Sequence, residues 1–137
     1  MKKIALALVI VAISGCATKP VTNEQAKNIP SKQILNSSFL SKKEGTGEVI
    51  IKRDSGFMGS ACMTRIYIDG KEIADLDTAQ KVVIYPETGE HIFSAWPTGL
   101  CGGGMSEQSG HVTREKTLIY RVGYGTNGDF GIYPTAF

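Results

Sequence analysis

Short runs of β-branched and aromatic residues, separated by clusters of Gly, Pro and Asp, make up the chain from residue 48 onward. Runs of this kind are typical of strands in an all-β domain, and no stretch shows the spacing of an amphipathic helix. The pattern predicts strands at Glu48–Arg53, Thr64–Ile68, Lys71–Leu76, Lys81–Tyr85, His91–Trp96, Glu107–Val112 and Thr117–Tyr124, with a last edge segment at Phe130–Tyr133.

The clearest local signal is the dipeptide Asp69-Gly70, which lies between two of these runs. Asp-Gly readily adopts the positive φ angles of a type I′ turn, so it predicts a two-residue β-hairpin. In the first arm Ile66 and Ile68 fall on one face, so one side of the hairpin can be buried. We therefore expect two sheets that pack as a small antiparallel β-sandwich of about seven strands.

A second turn is predicted at Tyr85–Glu90, which contains both Pro and Gly. The run before it carries Val82 and Ile84, and the run after it carries Ile92 and Phe93. Because Pro and Gly favour a chain reversal, this arrangement predicts a second antiparallel pair.

The N-terminus has the pattern of an export signal. Lys2 and Lys3 precede an aliphatic run at Ile4–Ile13, and Ser14-Gly15-Cys16 follows it. The run is about half of the roughly 20 residues that a membrane-spanning helix needs, so it predicts a cleaved signal peptide over residues 1–15. The tetrapeptide that ends at Cys16 resembles the lipobox of lipoprotein signal peptidase, which predicts acyl chains on Cys16.

Acylation would place the protein in the cell envelope, because two or three acyl chains anchor a protein stably. Ala17 follows Cys16, whereas an Asp there resembles the inner-membrane retention signal of enteric lipoproteins. The sequence thus predicts an outer-membrane lipoprotein that faces the periplasm.

Residues 16–46 are polar, with scattered apolar positions, and we expect a lipidated tether before a β-sandwich domain at residues 47–137. Two arrangements remain open for Ile34, Leu35 and the pair Phe39-Leu40. They can line one side of a short helix, which Pro30 would interrupt, or lie as an extended strap on the domain.

The charge balance argues against nucleic acid as a partner. The chain has 15 Lys plus Arg and 13 Asp plus Glu, and Lys2 and Lys3 belong to the predicted signal peptide. The mature chain is therefore neutral, with 13 charges of each sign. Without a basic stripe, binding to the phosphate backbone has little electrostatic support.

Lipidation of Cys16 would leave Cys62 and Cys101, which we expect to form a disulfide in an oxidising compartment. A bridge over about 40 residues stabilises a domain by roughly 4 kcal/mol on the chain-entropy model. The alternative is a redox or metal pair, but there is no Cys-x-x-Cys spacing, and His91 and His111 lack ligand spacing. We predict no metal and no cofactor.

The bridge would bring together two glycine-rich segments, residues 55–61 and 97–105, which we call the contact loops. Phe57, Met58, Leu100 and Met105 give the contact loops apolar character. These side chains can cap the end of the sandwich, or they can form a patch that contacts another envelope component.

Three motifs, Arg53–Phe57, Gly59–Cys62 and Tyr67–Lys71, resemble a family of small uncharacterised proteobacterial lipoproteins. The centre of the domain is similar to the PEGA-type β module, where a Val-Asp-Gly-Lys hairpin precedes a Pro-Gly-x-His turn. Here the turn is Thr88–His91, with Thr-Gly in place of Pro-Gly. PEGA-like modules are appended surface domains without known catalysis, so the resemblance implies a noncatalytic role.

Catalysis would need a nucleophile with a base, paired carboxylates or a metal cluster. Ser55 and Ser60 lie near Asp54 in the sequence, but no nucleophile-elbow motif accompanies them. We therefore expect a noncatalytic lipoprotein that binds an envelope protein, a glycan or another copy of itself. Two alternatives remain: an envelope-acting enzyme with His91 or His111 as base, and a mobile-element lipoprotein that blocks a surface receptor.

Overall fold

The computed structural model describes residues 17–137. Residues 1–16, which hold the predicted signal peptide and the predicted lipid attachment at Cys16, lie outside the described residues. The described part forms nine strands and two single 3₁₀ turns, Ser31–Gln33 and Ser37–Phe39. The strands are β1 (Lys27–Asn28), β2 (Val49–Arg53), β3 (Thr64–Ile68), β4 (Lys71–Leu76), β5 (Gln80–Ile84), β6 (Gly89–Pro97), β7 (Ser106–Val112), β8 (Leu118–Tyr124) and β9 (Phe130–Pro134).

The strands form two packed sheets, which confirms the predicted all-β sandwich. One sheet has five strands in the order β1-β5-β2-β8-β9, and the other has four in the order β4-β3-β6-β7. Two details of the prediction are corrected: there are nine strands among the described residues, and the β1–β5 and β2–β8 pairs are parallel. All four strands of the four-stranded sheet lie between β2 and β8 in the chain, so the chain can return to β2 from the same end and pair with it in parallel.

Alternation along the strands builds the core between the sheets. Ile51 in β2 and Ile66 in β3 are completely buried, and their neighbours two residues away on the same face are also buried. Phe93 of β6 packs on Tyr120 of β8 with ring centroids 4.9 Å apart, so an aromatic pair bridges the two sheets.

The predicted Asp69-Gly70 hairpin is confirmed. The two residues have φ angles of 48° and 78°, as a type I′ turn requires, and they join β3 to β4. Gly70 therefore occupies a position that other residues adopt only with strain.

The predicted antiparallel pairing across the turn at Tyr85–Glu90 is wrong. β5 belongs to the five-stranded sheet and β6 to the four-stranded sheet, so this connection crosses between the layers. Residues 45–47 bind the connection instead: Gly47 N donates to Pro86 O (3.0 Å), and Thr88 N donates to Gly45 O (2.9 Å). These bonds satisfy backbone groups that a tight hairpin would have paired internally.

Residues 17–46 lie along the sandwich, so the described part of the predicted tether is a strap. Val21 and Ala26 are buried, and β1 extends the edge of the five-stranded sheet. Leu35 N donates to Ile73 O over 2.9 Å, which ties the strap to the other sheet as well. Of the two arrangements left open by the sequence, the extended one forms, interrupted by two short 3₁₀ turns.

Candidate functional site

The predicted disulfide between Cys62 and Cys101 is present. It joins the connection between β2 and β3 to the connection between β6 and β7, and the two Cα atoms lie 6.1 Å apart. The bridge therefore holds both contact loops at one end of the sandwich.

Arg53 fixes one of these loops from inside the protein. Its guanidinium donates to the main-chain oxygens of Cys62 (2.6 Å), Gly59 (2.7 Å) and Leu76 (2.9 Å). Burial lowers the pKa of the Arg53 guanidinium, partly offset by Asp77. Sequence analysis missed this role, although the alternation of β2 does place Arg53 on the inward face.

The side chains of Phe57 and Leu100 project into solvent from this braced end. Phe57 is 94% exposed and Leu100 is 104% exposed, while Met105 is 41% exposed. Met58 is partly buried and lines a shallow depression of about 380 Å³ beside Tyr124. Phe57 and Leu100 therefore do not cap the end of the sandwich. They leave a large apolar surface uncovered.

The first described residues of the chain are fastened at the same end. Thr18 N donates to Tyr124 O (3.0 Å), Thr18 Oγ1 donates to Asp54 Oδ2 (2.8 Å), and Tyr124 N donates to Thr18 Oγ1 (2.9 Å). Lys19 and Ser55 exchange two main-chain hydrogen bonds of 2.8 and 2.9 Å. We call this set of contacts the Thr18 clamp.

An ion pair between the buried Asp54 and the partly exposed Arg121 supports the Thr18 clamp. Asp54 is 1% exposed, and its carboxylate accepts from Arg121 Nε over 3.1 Å and from Arg121 Nη2. The hydrogen bond with Asp54 raises the pKa of Arg121. Gly123 leaves room for this arrangement, because a Cβ there would lie 2.2 Å from Asp54 Oδ2 and 2.3 Å from Thr18 Oγ1.

Two lysines on the outer face of the five-stranded sheet hold the terminal segments. Lys81 Nζ donates to the main-chain oxygen of Asn23, and Lys52 Nζ donates to the main-chain oxygen of Phe137. Lys52 is 1% exposed, and burial lowers the pKa of its amino group. The strap therefore stays on the domain well beyond Thr18.

The histidines proposed as bases lie away from the contact loops. His91 Nδ1 is 2.6 Å from Asp69 Oδ2, and His91 Nε2 is 2.6 Å from Glu87 O. Each ring nitrogen of His91 is therefore within hydrogen-bond distance of an oxygen acceptor, and neither faces a nucleophilic side chain. His111 lies on the exposed side of β7, where its Nδ1 is 2.7 Å from Glu90 Oε1.

The Asp69 carboxylate has a structural role at that end. Although partial burial alone would raise its pKa, the hydrogen bond from Ile92 N (2.9 Å) and the contact with His91 lower it. An open cavity of about 350 Å³ lies beside this group, lined in part by Phe39 and Tyr85.

Among residues 17–137, no helix is long and apolar enough to cross a membrane. Within the same range, no three His, Cys, Asp or Glu side chains are grouped so as to hold a metal ion. No protein-family model, curated protein or solved structure matches the chain.

Proposed function

We propose that this chain is an exported lipoprotein, anchored in the cell envelope by acyl chains on Cys16, whose noncatalytic sandwich makes binding or structural contacts through the contact loops. The observation that carries the proposal is the exposure of Phe57 and Leu100 on loops that a disulfide and Arg53 hold in place. Large apolar side chains that are both exposed and fixed mark an interaction surface.

The noncatalytic part of the proposal is supported by the state of the two histidines. His91 is bonded through both ring nitrogens, and His111 lies on an open strand surface beside Glu90. Neither has a neighbouring nucleophile within hydrogen-bond reach among the described residues, which a general base would need.

The envelope location rests on the lipobox resemblance at Cys16, and the outer-membrane assignment rests on Ala17. The resemblance to PEGA-type modules stays a prediction and adds only that such modules are appended surface domains. The partner of the contact loops is an envelope component.

Metabolic labelling with a fatty acid tests the anchor. The mature protein should carry the label, and Cys16→Ser should lose both the label and the membrane association, because the thioether to the lipid forms on that sulfur. Cys101→Ser is the matched control, since it removes a sulfur elsewhere and should keep the label. A wild-type chain without label would refute the anchor.

Photo-crosslinking in intact cells tests the contact loops. A photoreactive phenylalanine at position 57 or 100 should form adducts with an envelope component, and the same residue in place of Ile92 should not. Ile92 is a suitable control because it is a large apolar side chain, 41% exposed, on the far part of β6. Equal adducts at all three positions would refute a specific contact surface.

A further inference from the structure

We infer that the partner of the contact loops is the lipid bilayer itself, and that Phe57 and Leu100 insert into the membrane interface beside the acylated cysteine. The inference deepens the proposed function and rests on its anchor at Cys16. It is carried by the position of the Thr18 clamp, by the exposure of the two side chains and by the distribution of charge.

The stretch of chain between Cys16 and the first fixed contact on the domain is very short. The Thr18 clamp ties Thr18 to Asp54 and Tyr124, and only two peptide units separate it from Cys16. Two residues span at most about 7 Å, whereas a flexible tether of 30 residues would have an end-to-end distance of about 30 Å. An acylated Cys16 therefore draws the clamped end of the sandwich to the membrane surface.

The contact loops are at that same end. A Cβ on Gly56 would lie 3.4 Å from Thr18 Cα, so the first contact loop packs against Thr18, two residues from the anchor. Phe57 follows Gly56 directly, and the disulfide brings the loop of Leu100 alongside. The acyl chains and the two exposed side chains consequently leave the domain in the same region.

The composition of the contact loops is compatible with insertion into a lipid bilayer. Neither loop contains a Lys, Arg, His, Asp or Glu residue, although one-fifth of the whole chain is charged. The other two turns at this end, residues 77–79 and 125–129, contain only Asp77 and Asp129 as charged residues. Trp96, 46% exposed just before the second contact loop, is the residue type that is enriched at membrane interfaces.

The opposite end of the sandwich is charged, as expected of a surface that faces water. The four segments there, residues 42–48, 69–72, 85–90 and 113–117, which comprise the connections and the adjoining strand ends, each carry at least two charged side chains. A protein partner would account for exposed apolar side chains, but it would not by itself account for their position beside the anchor. The bilayer accounts for the exposure of the two side chains, the absence of charged residues from the contact loops and their position beside the anchor together.

Tryptophan emission in brominated vesicles tests the inference on the full acylated chain. Trp96 is the single tryptophan, so Trp96→Phe removes all tryptophan emission. In that background Phe57→Trp, Leu100→Trp and Ile92→Trp each report the quenching at one site. The probe is phosphatidylcholine brominated near the headgroup end of its acyl chains. Interfacial side chains lie about 5–10 Å into this boundary, so we expect sites 57 and 100 to lose about half of their emission.

Site 92 should keep its emission, because it lies on the far part of β6 and outside the contact loops. Unquenched emission at both 57 and 100 would overturn the inference, and so would quenching at 92 that equals theirs. The wild-type chain gives a check without any change in the loops, since Trp96 should be quenched more than the Ile92→Trp site.

The mass of the Cys16 peptide separates this test from that of the anchor. Acyl chains on Cys16 with unquenched loops would leave the proposed anchor standing and refute insertion. If Cys16 carried no lipid, the anchor would be refuted, and the same full-length chain added to the vesicles would still decide insertion by quenching at 57 and 100.

Discussion

The Thr18 clamp depends on the absence of a side chain at Gly123, and Gly123→Ala tests it. The added methyl would lie 2.2 Å from Asp54 Oδ2 and 2.3 Å from Thr18 Oγ1, far inside van der Waals contact. Both atoms are buried and hydrogen-bonded to each other, so neither can move without breaking that bond. The substitution should therefore displace the carboxylate, Thr18 or both.

The expected cost combines two effects. Overpacking of a tight site costs about 1–3 kcal/mol, and loss of a hydrogen bond to a charged group costs about 1.5–3 kcal/mol. Together they should lower the free energy of unfolding by roughly 3–5 kcal/mol, which for a domain of this size lowers Tm by roughly 10–25 °C. Hydrogen exchange should also speed up at Thr18 N and Tyr124 N, the two amides of the Thr18 clamp that bond through Thr18 and Tyr124.

Circular dichroism melting and hydrogen exchange measure the two effects on the same sample. Gly104→Ala is the matched control, because a Cβ at Gly104 meets no atom within 4 Å. That variant should stay within about 0.5 kcal/mol of the parent, as exposed substitutions usually do. If Gly123→Ala had the same Tm as Gly104→Ala and kept its amide protection at Thr18, the Thr18 clamp would not be what fastens the start of the described chain to the domain.

Three further predictions concern bonds at the two ends of the sandwich. Replacing Cys62 and Cys101 together by Ser should lower the free energy of unfolding by roughly 4 kcal/mol, and reductant should destabilise the parent but not this variant. Arg53→Met should cost about 1–3 kcal/mol or more by leaving main-chain oxygens unpaired, and it should expose the first contact loop to proteolysis before the domain melts. The folded-state pKa of Asp69 lies below its ordinary value of 3.8, so its stabilising effect is present above that pH and disappears as the pH falls through the lowered pKa. The protection of the hairpin amides, taken relative to their intrinsic exchange rate at each pH, should therefore fall in acid, and Asp69→Asn should remove that fall, whereas a parent with pH-independent protection there would contradict the assignment.

The strands were predictable because alternation and turn residues are local signals. Eight of the nine described strands lie where the runs of β-branched residues indicated, with ends shifted by at most two residues. The exception is β1, whose two residues are polar and exposed and become a strand only by pairing with β5. Such an edge has no periodicity to read.

Tertiary placement was less accessible than the strands themselves. The turn at Tyr85–Glu90 contains ordinary turn residues, and nothing local distinguishes a hairpin from a crossover between sheets. The partners that decide it, Gly45 and Gly47, lie some forty residues earlier in the chain. The Thr18 clamp was hidden for the same reason, since Thr18, Asp54 and Arg121 are separated by 36 and 67 residues.

The polar composition of residues 16–46 suggested a tether, and the way residues 17–46 fold changes what the apolar loops can do. On a long flexible tether, Phe57 and Leu100 would not be held at the membrane surface and could contact a periplasmic partner instead. On a clamp two residues from the anchor, the same side chains face the surface that holds the acyl chains, and burying them there needs no second protein. Weakening the clamp is therefore a direct way to separate the two arrangements: Gly123→Ala should reduce bromolipid quenching at site 57 while leaving the lipid on Cys16, and undiminished quenching would show that the loops reach the bilayer without the clamp.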